Sequence, residues 1–133
     1  MTTGVRRPTP LTLVSGGSAA AREAAIAQAL APHEAAAVIL EGLADGNAML
    51  ADLAAQVPPS LAFPLQLLRI APGCLCCSGN LVLRVTLNRL LRHPPARLFV
   101  SLADASHIEQ LRIWLTASPY DGLLALQADI AVS

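Results

Sequence analysis

The sequence predicts an α/β fold, with a mainly parallel sheet of about five strands and helices on both of its faces. Short apolar segments alternate with helix-favouring segments along the chain, and proline or glycine lies between most of them. This alternation is typical of parallel sheets that are covered on both faces. The length of 133 residues suits one domain, spanning 1–133.

Five apolar segments predict the strands. In chain order they are Leu11–Ser15, Ala36–Glu41, Leu65–Ala71, Arg97–Leu102 and Leu123–Val132. Gly16 and Gly17 end the first strand, and Pro72 and Gly73 turn the chain after the third.

Four further segments predict helices, at Ser18–Leu30, Asn47–Gln56, Asn80–Arg92 and His107–Ala117. Ser18 suits the N-cap position of the first helix. Two of these helices have an apolar face at helical spacing, which predicts the side that packs on the sheet. The two faces are Leu83, Leu87, Leu90 and Leu91, and Ile108, Leu111, Trp114 and Leu115.

Composition narrows the class of protein. Hydrophobic residues make up 54% of the chain and charged residues 14%, but no apolar run reaches the roughly 18 residues of a membrane helix. No signal-type apolar stretch follows Arg6 and Arg7. We therefore expect a cytoplasmic protein without a membrane partner. The net charge of zero gives no reason to expect a nucleic-acid partner.

All nine basic residues are arginine, and the chain has no lysine. Any mechanism that needs a lysine is excluded for this chain acting alone. The requirement matters because the phosphate-binding loop of nucleotide hydrolases, G-x-x-x-x-G-K-[ST], depends on its lysine to neutralise the terminal phosphates.

A strand, a glycine pair and a helix lie where such a loop would lie. The window reads Gly16-Gly17-Ser18-Ala19-Ala20-Ala21-Arg22-Glu23. Arginine is a poor substitute for lysine in so tight a cradle, and a carboxylate would repel phosphate. By itself the window is also compatible with an ordinary strand–turn–helix unit, which many α/β folds contain.

The three cysteines are clustered in Gly73-Cys74-Leu75-Cys76-Cys77. Three thiolates on one turn can converge on a soft or borderline cation such as Zn²⁺. Three protein ligands leave room for a fourth, which water, His33, His93, His107 or a second chain could supply. Buried apolar thiols and redox chemistry remain the alternatives.

These residues resemble the CobW-type family of P-loop GTPases and metal chaperones. The Gly73–Cys77 stretch is similar to the family motif G-C-[IL]-C-C, and Leu11 to Leu30 aligns without a gap with the family's opening strand, phosphate loop and helix. The segment from Leu102 to Asp104, with His107, is similar to a later family motif whose Glu-Thr-Thr-Gly part is missing here. In a gapless alignment, Gly42 falls on a glutamate of the family. Glu41 lies one residue before that position.

The resemblance implies a P-loop NTPase-like three-layer fold with a degenerate nucleotide site. Arg22 falls on the family's lysine, Glu23 on its Mg²⁺-binding threonine, and Ala19 and Ala21 on glycines. The chain also stops at Ser133, before the guanine-reading Asn-Lys-x-Asp element, as a truncated member would. Binding of GTP and Mg²⁺ is therefore not expected, and neither are catalytic residues. Gly16, Gly17, Arg22 and Glu23 are expected to be remnants of the cofactor-binding loop.

Two functions follow from the sequence. The first is a CobW-like pseudo-GTPase that binds or transfers zinc or another transition metal through Cys74, Cys76 and Cys77. The second is a non-enzymatic module that forms a homodimer or binds a partner protein, which a chain this apolar makes plausible.

Overall fold

The computed structural model describes residues 7–30, 35–41, 65–70, 80–103, 106, 108–117 and 120–132. Six strands lie in this part of the chain: β1 (Thr9–Gly16), β2 (Ala36–Glu41), β3 (Leu65–Ile70), β4 (Arg97–Ser101), β5 (Leu124–Leu126) and β6 (Ile130–Val132). Its helices are α1 (Ala19–Ala29), α2 (Asn80–Leu90) and α3 (Ile108–Leu115), and a short 3₁₀ turn follows at Tyr120–Gly122. The predicted helix Asn47–Gln56 falls outside the described residues.

The strands form one sheet in the order β3-β2-β4-β1-β5, with β6 also pairing with β1. Every pairing recorded in it is parallel. Parallel neighbours need a crossover connection, commonly a helix, and this explains why helices separate most of the strands in the chain. The central strands β1, β2 and β4 are buried almost throughout, as their apolar sequences require.

Helices cover both faces of the sheet. Ile26 of α1 packs with Val14, Val38, Leu40 and Phe99 on one face. On the other face α2 and α3 pack against the alternate residues of the same strands. Strand residues point to opposite faces in turn, so each central strand contributes to two cores. The predicted α/β fold is confirmed, and the architecture is that of a P-loop NTPase-like sandwich.

The apolar faces predicted for the last two helices match the structure closely. Leu83, Leu87, Leu111 and Leu115 are each 3% exposed or less. Full burial of a leucine contributes roughly 1.5–3 kcal/mol, so these two faces fix the helices on the sheet. Trp114, predicted to be a core residue, is only partly buried.

Trp114 lies at the rim of this core, between two neighbours. Its ring centroid is 5.0 Å from that of Tyr120, and the Arg84 guanidinium lies 5.5 Å from the indole centroid. Such an arrangement keeps one face of a large ring in contact with a cation and solvent, and it explains why the indole is not fully enclosed.

The prediction of one continuous strand from Leu123 to Val132 is wrong. Two strands of three residues occupy that range, and both pair with β1, separated by 127–129. The Gln127 N–H still donates to the Leu11 carbonyl at 2.9 Å, while the Asp129 carboxylate accepts hydrogen bonds from Arg112 on α3. The side-chain anchor at Asp129 accompanies the interruption of the ladder.

The remaining element ends in the described residues lie within two residues of the prediction, and β2 matches it at both ends. β1 is longer than expected because Thr9 and Pro10 pair with β5. α2 stops at Leu90, since residues 91–93 form a turn before Pro94 and Pro95. In the described residues no helix is long and apolar enough to cross a membrane.

Candidate functional site

The glycine turn, residues 16–18, lies where β1 ends and α1 begins. Because the sheet is parallel, β2 and β4 end at the same edge, at Glu41 and Ser101. Ligands of open α/β sheets bind outside the carboxyl ends of the strands. The residues gathered at this edge are therefore the candidate site of the described part of the chain.

Both glycines of the turn have a backbone conformation that disfavours other residues. Their φ angles are +87° at Gly16 and +57° at Gly17. A Cβ built on Gly16 would lie 2.2 Å from the carbonyl oxygen of Val132 in β6. Gly16 thus meets two requirements that only glycine satisfies without strain, a positive φ and close contact with a neighbouring backbone.

The first turn of α1 is capped from the same segment. The Ser18 side-chain oxygen accepts a hydrogen bond from the Ala21 N–H at 3.1 Å, as the sequence predicts for an N-cap. Arg22 lies one turn into the helix and is only 5% exposed.

The Arg22 guanidinium occupies the inside of the glycine turn. Its Nη1 donates to the carbonyl oxygens of Gly16 and Gly17, each at 3.1 Å. Its Nε donates to the Ser101 hydroxyl oxygen at 2.9 Å, linking α1 to the end of β4. In a phosphate-binding loop, backbone N–H groups face an anion. Here two backbone carbonyls face a cation that belongs to the chain itself.

Glu23 is more deeply buried than Arg22, at 2% exposure. One of its carboxylate oxygens lies 3.8 Å from the Arg69 guanidinium of β3, whose side chain is 38% exposed. A buried carboxylate needs a cation or hydrogen-bond donors to offset its desolvation. The Arg69 contact is long for an ion pair, yet it places a positive charge on the side of α1 that faces β3.

Glu41 connects two strand ends at the same edge of the sheet. Its carboxylate accepts a hydrogen bond of 2.8 Å from the Ala103 N–H, in the segment that follows β4. The side chain is buried, with the residue 8% exposed. Gly42, on which the family glutamate falls, lies outside the described residues.

The three cysteines also lie outside the described residues, as do Asp104, His33 and His107. In sequence, Cys74, Cys76 and Cys77 fall between the end of β3 at Ile70 and the start of α2 at Asn80. β3 is parallel to β2, so the chain leaves it at the same edge of the sheet where the glycine turn lies. Among the described residues no group of three or more His, Cys, Asp or Glu side chains could hold a metal ion.

Sequence reasoning identified Gly16, Gly17, Arg22 and Glu23 as one segment, but missed their partners Ser101 and Arg69. Ser101 carries a weak signal, because it is a polar residue at the buried carboxyl end of an apolar strand. Arg69 is indistinguishable in sequence from the other arginines that follow apolar residues.

A second polar network lies on the opposite side of the sheet, around α3. The Tyr120 hydroxyl donates to Asn88 Oδ1 at 2.9 Å, and burial raises the pKa of Tyr120 above its ordinary value, although the nearby Arg84 charge opposes the shift. Hydrogen bonds to Asp129 and Glu109 raise the pKa of Arg112 above its ordinary value. These groups tie α3 to its neighbours.

The arrangement defines the class of protein as an α/β domain with a parallel sheet and a glycine turn at its carboxyl edge. Compared with known proteins, the chain is similar to a zinc chaperone, YeiR of Escherichia coli (strain K12), with 36% identity over 64 residues. The match covers 47% of this chain and 20% of that protein, so the chain corresponds to a small part of its relative's length. No family model matches the chain. No solved structure matches it either.

Proposed function

We propose that this chain is a CobW-like pseudo-GTPase domain that binds or passes on a transition metal, with zinc as the first candidate. The thiolates of Cys74, Cys76 and Cys77 are the proposed ligands, and no nucleotide takes part. The observation that carries the nucleotide-free half of this proposal is the buried Arg22 guanidinium inside the glycine turn. The metal half is supported by the similarity to a zinc chaperone and by the chemistry of the donor set.

The nucleotide argument depends on which charges surround the turn. A phosphate placed there would have to displace the Arg22 hydrogen bonds to Gly16, Gly17 and Ser101. It would then meet two carbonyl oxygens instead of N–H donors, with the Glu23 carboxylate adjacent in sequence to Arg22. A buried anion that faces carbonyl oxygens lacks hydrogen-bond donors, which opposes its binding by roughly several kcal/mol.

The metal argument depends on donor type. Thiolates prefer Zn²⁺, Cu⁺ and related ions, and a catalytic or transfer site keeps one position open whereas a structural zinc site is closed by four ligands. Three cysteines with an exchangeable fourth ligand therefore suit transfer of a metal better than permanent storage.

The three histidines are not equally suited to the fourth position. His93 follows the C-terminal end of α2, whereas the cysteines precede its N-terminal end. The 11 residues of α2 span about 16 Å, which separates His93 by most of a helix from Asn80, where α2 begins. Water, His33, His107 or a second chain is thus the more suitable fourth ligand.

Metal content tests the proposal directly. The chain is purified without chelators, and zinc per chain is measured by mass spectrometry for the parent and for a Cys74→Ala, Cys76→Ala, Cys77→Ala variant. We expect near-stoichiometric zinc in the parent and at least a tenfold loss in the variant. His93→Ala is the matched control and should retain the parent's zinc. Equal, substoichiometric zinc in all three proteins would contradict a metal role.

Nucleotide binding is tested separately by calorimetry with GTP and Mg²⁺. We expect no measurable heat up to millimolar nucleotide, because Arg22 already fills the turn. Saturable binding would overturn the pseudo-GTPase part of the proposal and leave the metal part to its own test.

A homodimer or a complex with a partner protein is the second candidate function, favoured by one observation. On the helical layer formed by α2 and α3, the described residues include three large exposed hydrophobic side chains. Val82 is 44% exposed, Val85 is 51% exposed and Ile113 is 69% exposed. Light scattering of the parent against a Val85→Glu variant tests it: a concentration-dependent dimer that the variant lacks supports the candidate, and monomers throughout contradict it.

A further inference from the structure

A cavity of about 260 Å³ lies between the edge strand β3 and the C-terminal half of α2. Its lining residues are Gln66, Leu68, Thr86, Arg89, Leu90 and His93. The first two come from β3 and the others from α2 and the turn after it. The cavity lies beside the C-terminal half of α2, whereas the cysteine motif precedes the helix in sequence.

Among the described residues, the polar lining of this cavity is rich in donors and includes no aspartate or glutamate. Arg89 supplies a permanent positive charge with up to five N–H donors, and Gln66 supplies an amide. His93 adds an imidazole, whose ring N–H can donate a further hydrogen bond. The electrostatic preference of the cavity is therefore for an anion.

The arginine and the histidine are not engaged elsewhere. Within the described part of the chain, neither the Arg89 nor the His93 side chain has a hydrogen-bond or ion-pair partner. The Thr86 hydroxyl, in contrast, donates to the Val82 carbonyl at 2.8 Å and keeps its lone pairs to accept a further bond. The Arg89 and His93 side chains are both exposed and can therefore donate to an acceptor at this wall of the cavity.

The basic residues could simply complement the negative end of the α2 dipole. Three of the carbonyls at that end, however, already accept a bond: the N–H groups of residues 91–93 donate to the carbonyls of Leu87, Arg89 and Leu90. The side chains of Arg89 and His93 are therefore not needed as caps, and they remain available to a ligand.

The apolar part of the lining limits the size and shape of that ligand. Leu68 is packed against the core, and Leu90 is 6% exposed. Together they give the cavity an apolar floor beneath its polar rim. A volume of this size holds about nine water molecules, or an anionic head group with a few carbon atoms.

We propose that this cavity binds a small organic anion, a carboxylate or a phosphate monoester with a short apolar portion. The anionic group would be held by Arg89, His93 and the Gln66 amide, and the apolar portion would lie on Leu68 and Leu90. Two oxygens of the carboxylate or phosphate can accept parallel hydrogen bonds from the Arg89 guanidinium. This bidentate contact is the strongest hydrogen-bonding geometry that Arg89, His93 and Gln66 can offer. The proposal does not depend on the metal role of the cysteines.

Titration of the full chain by ¹⁵N–¹H NMR tests it, with butyrate and butyl phosphate as probes and sodium chloride at matched ionic strength as the reference. We expect saturable shifts at the amides of Thr86, Arg89 and His93, with a dissociation constant on the order of millimolar. The tighter of the two probes identifies the head group. Shifts that grow linearly without saturation, or that match those with chloride, would overturn the proposal.

Two variants make the test specific to the cavity. Arg89→Gln should weaken binding by at least tenfold and His93→Gln by about threefold, because each removes a donor from the rim. Arg92→Gln is the matched control: it removes an exposed arginine of the same turn that does not line the cavity, and should leave binding within twofold. Equal losses in the Arg89 and Arg92 variants would show general charge attraction and contradict a built site.

Discussion

Two arginines of this chain show how differently one side chain can act. Arg22 is buried and bonds neutral acceptors, namely the carbonyls of Gly16 and Gly17 and the Ser101 hydroxyl. Arg112 has a side chain that is 33% exposed and bonds two carboxylates, those of Asp129 and Glu109. The formal charges are better matched around Arg112, yet we expect Arg22 to contribute far more to stability.

The reason lies in what each side chain leaves behind when it is removed. Without Arg22, two backbone carbonyls and a hydroxyl at the carboxyl edge of the sheet lose their donor in a place that water reaches poorly. Without Arg112, water can reach the carboxylates of Glu109 and the partly exposed Asp129, and ion pairs that water reaches give little net stabilisation. Burial, more than charge, decides the outcome.

The largest effect is expected for Arg22→Met, which keeps the length of the side chain but removes its donors. We expect a loss of about 3 kcal/mol in the free energy of unfolding, since several buried acceptors become unsatisfied. Urea unfolding followed by circular dichroism measures it. A loss of unfolding free energy no larger than that of Arg112→Met would contradict the larger contribution expected of Arg22.

The next effect is expected for Gly16→Ala, which tests the turn that Arg22 fills. The added Cβ would meet the Val132 carbonyl at 2.2 Å and sit at positive φ, so β6 or the turn must shift. We expect about 2 kcal/mol of destabilisation. Gly122→Ala is the matched control, because a Cβ there meets nothing within 4 Å. Equal stability of the two variants would show that the turn is not tightly held.

A smaller effect is expected for Tyr120→Phe on the α3 side of the sheet. The variant loses the hydrogen bond to Asn88, at about 1 kcal/mol. The folded pKa of Tyr120 is raised above 10.0, so its neutral form stabilises the fold fully below that pH and the contribution is lost as pH rises through the folded pKa. Stability of the parent should therefore fall more steeply above pH 10 than that of the variant. Parallel pH curves would count against this assignment.

The smallest effect is expected for Arg112→Met. The change in unfolding midpoint should be below that of Tyr120→Phe and should shrink further in 1 M salt, because exposed ion pairs are screened. Thermal unfolding at low and high salt measures both. A large, salt-independent loss would show that the Arg112 contacts with Asp129 and Glu109 are more than a solvated ion pair.

Much of the fold could be predicted because the elements are signalled locally. β2 occupies the residues that its apolar sequence indicates, Ser18 caps α1, and Leu83, Leu87, Leu111 and Leu115 face the core as their spacing requires. The last strand could not be predicted in full. Its interruption at 127–129 comes with a contact between Asp129 and Arg112, and a local pattern does not contain that contact.

The sequence likewise predicts only part of what concerns the candidate sites. The chemistry of Cys74, Cys76 and Cys77 is a prediction from spacing and residue type that stays a prediction. The absence of lysine follows from the sequence alone. The cavity beside α2 had no sequence signal, because Gln66 and His93 come from separate segments that only the packing of α2 on β3 brings together.

By itself, the sequence determined the alternation of strands and helices, their apolar faces and the glycine turn, because each depends on residues within a few positions of one another. Tertiary structure decided the strand order, the two-part edge strand and the role of Arg22. That arginine could have been an exposed helix residue by any local rule. It is buried because Ser101, 79 positions away, ends a neighbouring parallel strand beside it. Contacts between residues so distant in sequence form only when the sheet brings their strands to the same edge.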